Sequence, residues 1–311
     1  MNTRRNGHWA GMQENTFVFG IQLMYWIHRL FGRWPFRVCL YPIVTVHWLL
    51  RPALRAASVQ YLQRLETATG ALRHAPGWRD SIRHVALFGE TMLDKFLAVS
   101  GRYRFERVRS EGSELLYQRA LAGQGGVIVT AHMGCLELCQ ALADRREGFR
   151  LHVLVHTRHA ERFNRMLRRL NPQSELNLLE VTEIGPQTAV LLEEKVSAGD
   201  FVAIAGDRVP VSGGRTVNAG FLGVPAAFPV GPYVLASLLK CPLYFLGCVH
   251  EGAGYTAHFE QLAERVELPR GQREAAMAGY AQRFADAVTA LLRRSPYDWF
   301  NYFPFWDQAH E

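Results

Sequence analysis

His132 and Glu137 are the side chains whose types and spacing could first do chemistry, in the stretch Gly125-Gly126-Val127-Ile128-Val129-Thr130-Ala131-His132-Met133-Gly134-Cys135-Leu136-Glu137. Val127 to Ala131 are mostly small or β-branched and follow two glycines, which predicts a short strand buried on both faces. His132 falls at the strand's end, Gly134 allows a tight turn, and Cys135 to Ala143 reads as a helix. Glu137 then lies in the first helical turn, where the macrodipole favours an anion. A neutral imidazole at the carboxyl end of a strand can take a proton from a hydroxyl. The carboxylate of Glu137 is placed to accept the other ring N–H, fixing the tautomer and stabilising the imidazolium that forms. Taken alone, the spacing fits a surface histidine and a helix-end charge equally well.

Further candidates follow downstream. Asp207 and Arg208 end a fourth buried strand, Phe201 to Ala205, and can reach the same sheet edge as His132; an ion pair or loop cap would use the same two residues. Arg158 follows the strand Leu151–His156, and Arg215 lies in a Ser-Gly-Gly-Arg loop; guanidinium groups at such places suit phosphate. Phe221 and Gly223, with Pro225, Pro229 and Pro232, put apolar side chains and restricted backbone beside a helix from Tyr233 to Leu239. A dry groove for an acyl chain needs such residues, and so does an ordinary core. His132, Cys135 and Cys139 have the types but not the number of zinc ligands, and no second pair stands at ligand spacing, so neither metal nor cofactor is expected. There is no Gly-x-Ser-x-Gly elbow for a serine hydrolase and no nucleotide-binding Gly-x4-Gly-Lys loop.

The ordered set His-x4-Glu, Ala205-Gly206-Asp207-Arg208, Gly220-Phe221-Leu222-Gly223-Val224-Pro225-Ala226 and Pro229-Val230-Gly231-Pro232 resembles the lysophospholipid acyltransferase superfamily. Within it, the chain is most similar to the lipid A biosynthesis (lauroyl/myristoyl-type) acyltransferases, over roughly residues 80 to 306. The resemblance implies an O-acyltransferase with His132 and Glu137 as catalytic pair and the 205–208 region helping to form the acceptor and donor sites. It also implies an N-terminal anchor at the cytoplasmic face of the inner membrane. The end of the chain, Trp299 to Asp307, lacks the basic tail of that branch and looks more like relatives from aryl-polyene and glycolipid pathways. The acceptor implied is therefore a lipid or glycolipid hydroxyl, and the donor an acyl thioester on acyl carrier protein, already activated where a free acid would need a nucleotide. A non-catalytic membrane-associated lipid-binding protein and an acyl-thioester hydrolase are the alternatives.

Composition limits the partners. Residues 1–120 hold 17 Lys and Arg against 8 Asp and Glu, while the rest of the chain is slightly acidic. A basic N-terminal part beside apolar runs fits an anionic membrane surface or an acidic carrier protein. No nucleic-acid-binding signature accompanies it. The five cysteines sit in or beside apolar runs, as reduced core residues do.

The elements that must position these side chains form an alternating series. Phe17 to Phe31 and Val38 to Leu50 are apolar and aromatic, broken at Trp34-Pro35-Phe36-Arg37, and shorter than a comfortable bilayer span; they read as interfacial membrane segments or as amphipathic core helices. Residues 1–57 are assigned to this membrane-associated segment and 58–311 to the acyltransferase domain. Helical faces follow at Val59–Leu72 and Ile82–Phe96, with Gly70 near the end of the first. A short strand is expected at Tyr103–Val108 and a helix from Ser113 to Leu121. A helix with Phe163, Met166, Leu167 and Leu170 on one face follows the strand at 151. Another strand is expected at Leu176–Val181, and a helix opened by Pro186 and closed by Gly199. Pro242–His250 and Gly254–Glu260 suggest an antiparallel hairpin closing one sheet edge, before a long helix through Met277 and Leu291. The pattern is that of an α/β fold, a largely parallel central sheet with helices on both faces, and N-terminal membrane-associated helices.

Overall fold

The computed structural model describes residues 15–143, 149–155, 178–180, 186–209 and 214–310. Two helices come first, α1 (Asn15–Phe31) and α2 (Arg33–Leu50). The break between them is at Gly32, whose φ of 88° lies in the left-handed region, and not at the Trp34–Arg37 stretch. Pro35 instead occupies the first turn of α2, where its missing N–H costs nothing. The helix α3 (Pro52–Thr69) ends on a left-handed Gly70 as expected, and α4 (Trp78–Val99) buries Ile82, Val85, Met92, Leu93 and Phe96. The division expected at 57/58 falls inside α3.

Among the described residues seven strands make the main sheet: β1 (Val108–Glu111), β2 (Gly126–Gly134), β3 (Leu151–Val155), β4 (Leu178–Glu180), β5 (Phe201–Ala205), β8 (Leu243–Glu251) and β9 (Gly254–Ala263). Their order is β1-β9-β8-β2-β5-β3-β4. Pairing is parallel everywhere except between β8 and β9. The sheet is thus largely parallel, and β2, the strand carrying His132, runs through its middle. The antiparallel hairpin β8–β9 is present but does not close the edge, because β1 pairs parallel outside β9. The short strand expected at Tyr103–Val108 starts only at Val108; a 3-10 turn, Phe105–Arg107, precedes it.

Helices cover both faces, as the continuous apolar strands require. Val127, Val129 and Ala131 of β2 point into a core shared with α3, α7 (Pro186–Ser197), α8 (Gly231–Leu238) and α9 (Arg273–Arg294). Ile128 points the other way, into a core with α2, α4, α5 (Ser113–Leu121) and α6 (Leu136–Ala143). A separate hairpin, β6 (Thr216–Phe221) with β7 (Val224–Pro229), packs on α9. Leu222 and Gly223 turn it with positive φ at both positions, a primed turn suited to twisted strands.

The first two helices bury one face and leave another bare. Phe36, Leu40, Val44 and Trp48 face inward, and Arg33 and Arg37 reach Asp94 and Glu90 of α4 at 2.6 and 2.7 Å. Leu23, Trp26, Leu30, Phe31, Trp34, Val38, Ile43, Val46, Leu49 and Leu50 are exposed, Trp34 by 75%. Among the described residues no helix is long and apolar enough to cross a membrane.

Candidate functional site

β2 and β5 are paired in register with Thr130 opposite Ala205, so two residues beyond that pair His132 meets Asp207 across the carboxyl edge of the sheet. Ligands of open α/β sheets gather along this edge. The bond is close: His132 Nδ1–H donates to Asp207 Oδ1 at 2.7 Å, and the His132 backbone N–H donates to Oδ2 at 2.9 Å. Asp207 therefore holds both the ring and the backbone of His132. Two further donors share Oδ2, the Trp299 indole N–H at 3.1 Å and the Asn301 amide at 2.8 Å.

This assigns the carboxylate role differently from the sequence. Glu137 stands in the first turn of α6, but its partner is Lys95 of α4, 2.9 Å away, and not His132. The four-residue gap cannot bring Glu137 to Nδ1 because β2 continues through Gly134 instead of turning after His132. Gly134, at φ 50°, lies so close to β8 that a Cβ there would stand 1.5 Å from the Cys248 carbonyl oxygen. The register of β2 against β8 shifts between Thr130 and Gly134, a bulge of the kind that re-aims a side chain.

The electrostatics of the pair follow from its setting. Burial and the Arg208 cation lower the His132 pKa below its ordinary value, with Asp207 opposing them. Burial works to raise Asp207, but the His132 ring, its backbone N–H and Arg208 hold the carboxyl well below the usual range. Asp207 is thus an anion and His132 is neutral near pH 7. With Nδ1 donating, Nε2 carries the lone pair, and it has no hydrogen-bond partner among the described residues. About a third of the His132 side chain is exposed, so that nitrogen can be reached.

Arg208 completes the cluster. Its Nε donates to Asn301 Oδ1 at 2.7 Å, and Nη2 to the Phe300 carbonyl at 3.0 Å; burial lowers its pKa to about 10 against the pull of Asp207. Lys95 is drawn the other way: burial would lower the ammonium, but Glu137 raises it above its ordinary value.

The remaining candidates separate. Arg158 lies outside the described residues. Arg215 is exposed just ahead of β6. Phe221 is packed in the core, stacked on Trp306 at 5.9 Å and edge-on to Trp299 and Phe305, so its ring is committed to packing and not to an open groove. Gly223 serves the β6–β7 turn. Cys135 is buried, and burial together with Glu137 pushes its thiol up, away from nucleophilic use. The one cluster of three metal-type side chains among the described residues is Glu111, Glu251 and His258. The Arg294 guanidinium already bridges its carboxylates, at 3.1 and 2.6 Å.

Residues 298–301 are the part of the site that sequence reading missed. Phe300 N–H donates to the His132 carbonyl and Gly134 N–H to the Asp298 carbonyl, while Met133 and Trp299 form an antiparallel bridge. Asp298 also clamps His250, at the end of β8, through its ring and backbone N–H at 2.7 and 2.6 Å. Behind this segment runs a buried chain of hydrogen bonds. Trp48 Nε1–H donates to Ser81, Ser81 to Ser58, Ser58 to His84 Nδ1, and His84 Nε2–H to the Trp299 carbonyl. The dense aromatics of the segment gave a signal, but one that core closure explains equally well. In comparisons with known proteins, no family model and no curated sequence matches the chain.

Proposed function

We propose that the protein is a membrane-associated O-acyltransferase in which His132 is the general base and Asp207 its orienting carboxylate. The observation that carries the reading is the accessible Nε2 lone pair of a neutral histidine whose Nδ1–H is committed to a buried carboxylate. Such a nitrogen removes a hydroxyl proton as the oxygen attacks an acyl carbonyl. When the tetrahedral intermediate collapses, the carbon–sulfur bond breaks and the proton held on Nε2 passes to the leaving thiolate, restoring the neutral base. No acyl-enzyme is required, and the buried Cys135 is unsuited to forming one.

The chain's ordered motifs, with their likeness to lipid A acyltransferases, support a lipid or glycolipid hydroxyl as acceptor and an acyl thioester as donor. The surplus of basic residues before position 120 supports an acidic acyl carrier protein as donor partner. The bare apolar face of α1 and α2, with Arg29 over the exposed Trp26 ring and Arg55 donating to the Leu49 carbonyl, supports an interfacial seat on the anionic cytoplasmic face of the inner membrane. Purified protein assayed with acyl carrier protein, coenzyme A and free-acid donors should prefer the first, with a rate that falls as salt rises. Loss of transfer in a folded His132→Ala protein supports the reading; near-wild-type turnover defeats it. Release of free acid without ester formation would make it a thioester hydrolase.

A further inference from the structure

We propose that Asn301, with Trp299, is a positioning residue of this site, setting the proton affinity of His132 through Asp207; this rests on the acyltransferase reading only for its kinetic arm. Asn301 is 1% exposed and both ends of its amide are used. Nδ2 donates to Asp207 Oδ2 at 2.8 Å and Oδ1 accepts from Arg208 Nε at 2.7 Å. One planar group thus holds the anion and the cation of the cluster apart at a fixed distance. Without it, Asp207 Oδ2 loses one of its donors and Arg208 Nε loses this acceptor.

Trp299 acts on the same oxygen from the other side, and its own position is fixed by the backbone bridge to Met133 and by the His84 bond to its carbonyl. The charged groups bearing on His132 are Asp207, Arg208 and Lys95, the last paired with Glu137. Asn301 and Trp299 touch the first two and not the others. Their effect on His132 therefore passes through the carboxylate and not through the Lys95 pair.

The test uses two variants of the full chain. Asn301→Asp keeps size and the acceptor for Arg208 but turns the donor facing Asp207 into a second negative oxygen. Trp299→Phe removes only the indole donor. In both, the less satisfied or more crowded anion strengthens the imidazolium, so the acid limb of the pH–kcat profile moves to higher pH, by about one unit for Asn301→Asp and less for Trp299→Phe. At a pH held at least a unit below the wild-type midpoint, kcat falls about tenfold in Asn301→Asp while the donor KM stays within about twofold.

The same shift is read without substrate from the nitrogen-15 resonances of the His132 imidazole. An unchanged His132 titration and tautomer in a folded Asn301→Asp or Trp299→Phe protein would overturn the proposal, even if activity fell. If the resonances shift but the His132→Ala protein still transfers acyl groups, the positioning stands and the catalytic reading falls.

Discussion

Replacing Asp207 by Asn should cost far more than replacing Glu137 by Gln, and the geometry says why. Among the described residues, Oδ2 of Asp207 accepts three donors, from His132 N, Trp299 Nε1 and Asn301 Nδ2, whereas Oδ1 accepts only His132 Nδ1–H. An asparagine amide must turn its oxygen toward the three donors and its NH2 toward Nδ1. The ring then accepts at Nδ1 and carries its proton on Nε2, the tautomer that cannot act as base. A wrong tautomer held by intact geometry costs on the order of 10⁴ in kcat in a serine-protease triad, or about 5 kcal/mol of barrier. Glu137→Gln breaks one ion pair with Lys95, each partner about a fifth exposed, and leaves the Asp207 contacts alone. Its rate should stay within about tenfold of wild type. Single-turnover acyl transfer on both variants, with the His132 tautomer read by nitrogen-15 resonances, makes the comparison. Retention of a tenth or more of the rate by Asp207→Asn, or an equal loss in Glu137→Gln, refutes the assignment of Asp207.

Other expectations can be checked with the folded protein alone. Burial lowers the His84 pKa from 6.5 to about 4, so the fold holds it neutral while the unfolded chain protonates; stability is full above 6.5 and falls by roughly 3 kcal/mol as pH drops to 4, where urea midpoints in His84→Gln should depend less steeply on pH. Gly134→Ala should lower the urea midpoint by more than about 3 kcal/mol equivalent, because both its positive φ and the Cys248 carbonyl oppose a side chain; an unchanged midpoint would contradict the packing described for β2. Exchanging exposed Trp26 and Trp34 for Glu should weaken flotation with anionic vesicles about tenfold or more while leaving the thermal midpoint within a few degrees; equal flotation would remove α1 and α2 as the seat.

The elements that carry His132 were legible because their signals are local. β2 shows as an apolar run between glycines, α4 and α9 show as helical stripes, and Gly70 and Pro186 mark helix ends by backbone chemistry alone. The partner of His132 was not legible, since Asp207 lies 75 residues away and only the parallel register of β2 and β5 brings the two together. Glu137 is nearer in sequence and at a familiar spacing, but its partner is Lys95. Asp207, at the end of its own buried strand, reads as reaching the same sheet edge as His132, but the order of the strands, which makes β2 and β5 neighbours, is not written in any local pattern. Trp299 and Asn301 are farther still, and buried aromatic rings look the same in sequence whether they fill space or donate to a buried carboxylate. The β6–β7 hairpin has a local signal too: Leu222-Gly223 between alternating residues is a two-residue turn.

The chain of bonds from Trp48 to Trp299 has a direction, since each hydroxyl donates once and accepts once and His84 must accept at Nδ1 and donate at Nε2. Reversing any link would leave two donors or two acceptors facing each other in a dry interior. The chain therefore runs in one sense, from α2 to the residue whose indole donates to Asp207. α2 is also the helix whose outer face is bare. A slide of α2 along α4 would have to break or re-form the Trp48–Ser81 bond at its start. The helix with the bare outer face and the carboxylate that holds His132 are thus joined by four buried hydrogen bonds and the Trp299 indole.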